Sequence, residues 1–237
     1  MLVRNRKAFN LGLLLMASFF IVFYLIMFVP LFDGKTTIVY ADDMFNSLAK
    51  GSTYFIPKYI EKTQKYVGQP LEATIKMKNA DEAQKTALLF SRNGASAVVE
   101  GEKIKISGAD FGNTMLAAEN DADLMFNDRG TEVAQKYGYD EKEAMYFWHT
   151  AFKSVIKELE KAERFEGSIF LGEVLTKVVE PGYNFYGIKP EKVKDHVGIL
   201  VTFLTFYVIY TLWFGYSIYE MFNGVGLTMT KSKAKKE

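Results

Sequence analysis

Residues 8–32 read AFNLGLLLMASFFIVFYLIMFVPLF and residues 197–219 read VGILVTFLTFYVIYTLWFGYSIY; neither stretch contains a charged side chain. As α-helices they rise roughly 37 and 34 Å, enough to cross a hydrocarbon core about 30 Å thick. A core helix of a soluble protein is seldom apolar on every face over such a length. The chain is therefore expected to span a membrane twice, and nothing between the two runs resembles a third span.

The flanking charges orient the spans. Arg4, Arg6 and Lys7 precede the first; Lys231, Lys233, Lys235 and Lys236 follow the second, opposed only by Glu237. Positive flanks stay in the cytoplasm. The expected organisation is a cytoplasmic N-terminus (1–7), transmembrane helix 1 (8–32), an extracytoplasmic domain (33–196), transmembrane helix 2 (197–219) and a basic cytoplasmic tail (220–237). The membrane would be the cytoplasmic (inner) one, and the domain periplasmic in a Gram-negative cell. Residues 33–196 hold 22 Lys/Arg and 26 Asp/Glu, and the rest of the chain 7 and 2, so the formal net charge of +1 joins an acidic domain to basic ends. A cleaved signal peptide is the rival reading, with Val39-Tyr40-Ala41 as its site, but a signal's apolar region is ~7–15 residues and this one has 25. Cysteine is absent from all 237 residues, which excludes disulfides, thiol nucleophiles, Cys-ligated zinc and iron–sulfur clusters.

The central segment reads as α+β, mostly helical with a small antiparallel sheet. Asp42 to about Val67 is helix interrupted near Gly51 and Pro57. Leu71–Lys78 alternates apolar and polar as a half-buried strand does. Asp81–Arg92 is a short helix with Ala83, Ala87, Leu88 and Phe90 on its apolar side. Ser96–Ser107 reads as a hairpin turning at Glu100-Gly101-Glu102, giving a β-α-β-β order followed by helices. Asp110–Tyr137 keeps one apolar face, with Gly130 as its expected break. Asp140 and Glu143 form a capping box. The helix after them carries Met145, Trp148, Phe152, Val155, Leu159 and Ala162 at steps of 3 and 4, a face that should pack on a neighbour. A further helix over Ser168–Val179 is expected to close at Pro181-Gly182.

Candidate chemistry is sparse. His149 and His196 are the only histidines, and they are the only cofactor-binding candidates. His149 lies off the main apolar face of its helix with no second ligand at a metal-like spacing, so a boundary histidine is the plainer reading. His196, at the outer mouth of the second span, could ligate haem or sit near a quinone only with help from another helix. The acid-rich stretch Glu119–Asp123 fails the spacing of a calcium loop and reads as a solvated helix face. No phosphate loop and no serine-nucleophile elbow is present. Basic residues outside the membrane are not clustered, so nucleic acid is not an expected partner. No metal or cofactor is expected.

In the spans, Gly12, Ala17 and Ser18 on the first and Gly198, Thr202 and Thr205 on the second offer close-approach positions for helix packing. Tyr207 and Tyr210 place hydroxyls in the hydrocarbon, where each wants a partner. Glu220, just past the second span, is expected to be solvated.

An external domain between two spans resembles the layout of chemoreceptors, sensor kinases and polysaccharide co-polymerases. About 18 residues follow the second span, so any signal would have to pass to a partner protein. The sequence thus points to a non-catalytic, two-pass accessory or scaffold subunit. Its contacts would be membrane lipid, other integral subunits or further copies of itself, and a protein partner bound by the domain. The alternative is a ligand-sensing or substrate-binding domain with a pocket between sheet and helices near Tyr183, Phe185 and Tyr186. A haem- or quinone-associated redox subunit is a third.

Overall fold

Helix α1 (Arg6–Phe28) starts where Asn5 turns its side-chain oxygen to the Ala8 N–H, 3.2 Å away. It stops four residues short of the expected Phe32. Val29 precedes Pro30 and is extended, as the residue before a proline prefers. Its partner is the last helix, α10 (Val197–Val225), which runs six residues beyond Tyr219. These values come from a computed structural model describing residues 3–227, so the Lys231–Lys236 cluster lies outside the described residues. The chain divides into two units, 1–48 with 191–237, and 49–190.

In the first unit α1 and α10 pack antiparallel. Arg4 and Asn5 donate backbone N–H groups to the Gly224 carbonyl, and Phe19 stacks on Tyr210 with ring centroids 4.2 Å apart. Both helices are long and apolar enough to cross a membrane. In their most apolar 18-residue windows only 11% of α1 and none of α10 is buried, which distinguishes them from core helices of a soluble fold. Helix α2 (Thr37–Ser52) starts five residues earlier than read, so Val39-Tyr40-Ala41 lies within a helix.

The second unit holds the sheet and the remaining helices. Helix α3 (Ile56–Thr63) carries Pro57 in its first turn, where a missing N–H costs nothing. Strand β1 (Pro70–Lys76), helix α4 (Ala80–Ser91) and strands β2 (Ser96–Glu100) and β3 (Lys103–Asp110) follow in the expected β-α-β-β order. The three strands form an antiparallel sheet, ordered β1-β3-β2. Ile75 and Val99 both oppose Ile104, and Ala73 and Ala97 oppose Ile106, so the apolar alternation forms one continuous inner face. Gly101, at φ +63, turns the hairpin. On α4 Ala83, Ala87 and Phe90 are buried as expected, but Leu88 is exposed and Leu89 is buried in its place.

The helical run expected over 110–137 is broken close to Gly130, into α5 (Phe111–Phe126) and α6 (Gly130–Tyr137). Asp128, at φ +59, turns the chain between them, and Gly130 opens α6. Helix α7 (Glu141–Lys161) buries Met145, Trp148, Phe152, Val155 and Leu159 completely or nearly so. Its neighbours include α4, α5, α6, strand β1 and the helices that follow it in the chain, a broader set than one helical partner. Ala162 caps the helix and is exposed. Asp140 accepts from the N–H groups of Lys142 and Glu143, but the Glu143 side chain turns to Lys85, 2.9 Å away, so only half of the capping box forms. Trp148, Phe90, Phe111 and Phe152 are the largest fully buried side chains, each stabilising the domain by roughly 1.5–3 kcal/mol relative to exposure.

Pro181-Gly182 do not close the next helix. Helix α8 (Phe165–Val174) passes through a π-turn, Leu175–Val179, into α9 (Glu180–Asn184). Proline inside a helix clashes with the carbonyl four residues back. The wider turn just before Pro181, in which the Glu180 N–H bonds back five residues to the Leu175 carbonyl, accommodates it.

Candidate functional site

On α7, Met145, Tyr146 and His149 share one flank, one turn apart. On and just before α9, Val179, Glu180, Tyr183 and Asn184 do the same, with 180, 183 and 184 at the i, i+3, i+4 spacing of one helical face. The two flanks meet at a cleft of about 300 Å³ lined by these seven residues. At its edge His149 Nε2 lies 3.3 Å from Glu180 Oε1, with both side chains partly exposed. The π-turn sets this meeting. One extra residue in a helix shifts everything after it by about 100°; with the turn in place, Val174, Val178 and Val179 are all fully buried while Glu180 reaches the cleft.

Tyr183 is on this cleft, as the sequence suggested, but Phe185 and Tyr186 are not. Phe185 packs edge-on against Phe126, and the Tyr186 hydroxyl donates to Glu141 at 2.9 Å, a bond that raises the phenol's pKa. The sheet contributes nothing to the lining. His196, in the other unit, has Nε2 2.7 Å from Glu191 Oε2. The two histidines thus belong to different units, each beside a glutamate, and among the described residues no group of three metal-ligating side chains exists.

Two acids read as solvated are buried. Glu119 and Asp121 are 0% and 1% exposed. They lie about 200° apart around α5, so burial of both means that α5 is enclosed on several sides. Asp121 accepts from Tyr137 Oη at 2.5 Å, Trp148 Nε1 at 2.9 Å and Lys136 Nζ at 2.9 Å, linking α5, α6 and α7. Desolvation and the nearby Asp121 carboxylate both push the Tyr137 phenol far up. Glu119 accepts only from Thr63, at 2.6 Å, and its other oxygen has no partner among the described residues. Burial drives its pKa up to about 7.

In the helix pair, the closest approach falls elsewhere than on the expected small residues of α10. A side chain at Gly12 would meet Met221 and Ser217, and one at Gly224 would meet Phe9, all within 3 Å. Gly198 faces open space, Thr202 is exposed and donates to its own helix at the Gly198 carbonyl, and Thr205 is exposed. Ser18 likewise bonds within α1, to Leu15, and Ala17 is exposed. Tyr207 is 65% exposed; Tyr210 stacks on Phe19, its hydroxyl unpaired among the described residues. Trp213 Nε1 donates to the Leu15 carbonyl at 3.1 Å. Glu220, expected in solvent, is 9% exposed, because α10 continues past it and pairs with the first turns of α1.

No family model, curated protein or solved structure matches this chain. The assignment of a site therefore rests on its own residues. Glu180 and Asn184 escaped the sequence reading. Their one visible signal was the 180, 183, 184 spacing, masked by the expectation that Pro181 ended the helix.

Proposed function

We propose that this chain is a two-pass membrane protein whose central domain, residues 33–196, stands on the extracytoplasmic side and acts by binding, as a non-catalytic accessory subunit of a membrane complex. The observation that carries the reading is the uneven use of α10. One flank near its C-terminal end is packed on α1 at Ser217, Glu220 and Gly224, while Leu204, Tyr207, Leu212, Tyr216 and Tyr219 are each more than half exposed. These three tyrosines and two leucines offer a surface for further helices, whose packing in lipid depends on shape and hydrogen bonds more than on apolarity.

Tyr207→Cys in the otherwise cysteine-free chain provides the test. A bifunctional cross-linker applied in the native membrane is expected to join this position to another integral membrane protein, in stoichiometric yield after mild-detergent purification. An adduct of twice the chain's mass would replace the accessory subunit by a homo-oligomer. A lone monomer with no adduct would count against both.

A second reading, a ligand-binding domain, is favoured by one specific observation. The cleft at His149 groups a carboxylate, an imidazole and two phenols beside apolar side chains, the few polar groups in an apolar hollow that small-molecule sites use.

A further inference from the structure

The same cleft carries information about what would fill it, an inference that rests on the ligand-binding reading just given. Among the described residues Glu180 is the only carboxylate that lines the cleft, and no lysine or arginine lines it. The nearest group of the opposite chemistry is the His149 imidazole, whose Nε2 lies 3.3 Å from Glu180 Oε1. An anion entering the cleft would meet the carboxylate's charge, and a neutral molecule would cover it without compensation, at a desolvation cost. A cation gains instead.

The aromatic lining argues in the same direction. Tyr146 and Tyr183 are 46% and 42% exposed, so these rings are held at the opening instead of in the core. The face of a phenol ring is negative and attracts an ammonium group. Met145 and Val179 add an apolar floor, being fully buried beneath the cleft. At about 300 Å³ the hollow lies at the small end of ligand sites, fitting a single ring or short chain and excluding a folded partner. The π-turn that delivers Glu180 is a device found often at functional sites. We infer that the cleft between α7 and α9 binds a small organic ammonium ion with an apolar or aromatic body, Glu180 taking the charge, Tyr146 and Tyr183 contacting the head group and its neighbouring carbons, and His149 orienting the carboxylate.

The full chain in nanodiscs of uncharged lipid, titrated calorimetrically against empty-disc controls, tests this with three probes of one shape: benzylammonium, benzyl alcohol and benzoate. Benzylammonium is expected to bind about tenfold tighter than benzyl alcohol, and benzoate not at all. Glu180→Gln should lower benzylammonium affinity about tenfold and Tyr183→Leu several-fold; both side chains are partly exposed, and unchanged circular dichroism establishes that each variant is folded. Equal binding of benzylammonium to wild type and Glu180→Gln would overturn the inference. So would benzyl alcohol or benzoate binding as tightly as the amine; if Tyr183→Leu then weakened that binding, the ligand-binding reading would survive its failure. Binding of no probe would overturn the inference and remove the support for that reading.

Discussion

Glu119 and Asp121 sit two residues apart on one helix, equally buried and differently served. Asp121 has three donors around its carboxylate; Glu119 has the Thr63 hydroxyl alone. A buried carboxylate with one donor prefers to hold its proton, and the Glu119 pKa rises from 4.5 to about 7. The folded state then binds the proton more tightly than the unfolded chain. Its contribution is fully present below pH 4.5, where both states are protonated, and is lost as pH rises through 7. The loss amounts to roughly 3 kcal/mol. Glu119→Gln, which imitates the protonated acid, should match wild type at pH 5 and exceed it at pH 8 by roughly 5–10 °C in the midpoint of thermal unfolding, followed by near-ultraviolet circular dichroism. A variant no more stable than wild type at pH 8 would show that the carboxylate is ionised without penalty. Neither acid's burial was legible in the sequence. Acidic residues in a run read as solvent-facing, and only the enclosure of α5 by its neighbours turns two opposite sides of it inward.

Legibility at the scale of elements depended on whether two environments differ in polarity. Strand β1 and helix α7 each divide core from water, so alternation in Leu71–Lys76 and the 3-4 spacing from Met145 to Leu159 announced their buried faces. In α1 and α10 the partner-facing and outward-facing sides are equally apolar, and periodicity says nothing about which is which. Glycine was the usable clue, but four glycines in these two helices look alike in sequence, and only Gly12 and Gly224 abut a neighbour; Gly198 and Gly215 meet nothing. Hence the pairing of α1 with α10 makes a sharp prediction. Ser217 Oγ lies 3.8 Å from Met16 Sδ, so Met16→Cys with Ser217→Cys should be joined by a short bifunctional thiol reagent in a chain with no other thiol. Adding Gly12→Leu should cut the yield several-fold, whereas Gly198→Leu should leave it unchanged. Equal yields in all three would mean that the close approach at Gly12 does not hold the pair together. The π-turn was illegible for a different reason: Pro181 is read as a terminator, and nothing local tells that the preceding turn is widened to admit it.

For the whole molecule, the distribution of charge is the guide to placement, since residues 33–196 are acidic and the remainder basic. The proposed topology predicts that Ser91→Cys, at an exposed position ending α4, reacts with a membrane-impermeant maleimide on intact cells. Lys233→Cys should react only after permeabilisation. The reverse pattern would invert the orientation, and labelling of both without permeabilisation would put the C-terminal tail on the same side as the domain, so that α10 does not cross. The pairing of the first helix with the last also has a consequence in time. Met221, the residue against Gly12, is made about 210 residues later, which at 5–20 residues per second is roughly 10–40 s of synthesis. Helix α1 must pass that interval without the surface that finally covers Gly12, and whatever shelters it meanwhile, lipid or another protein, has to yield when α10 arrives.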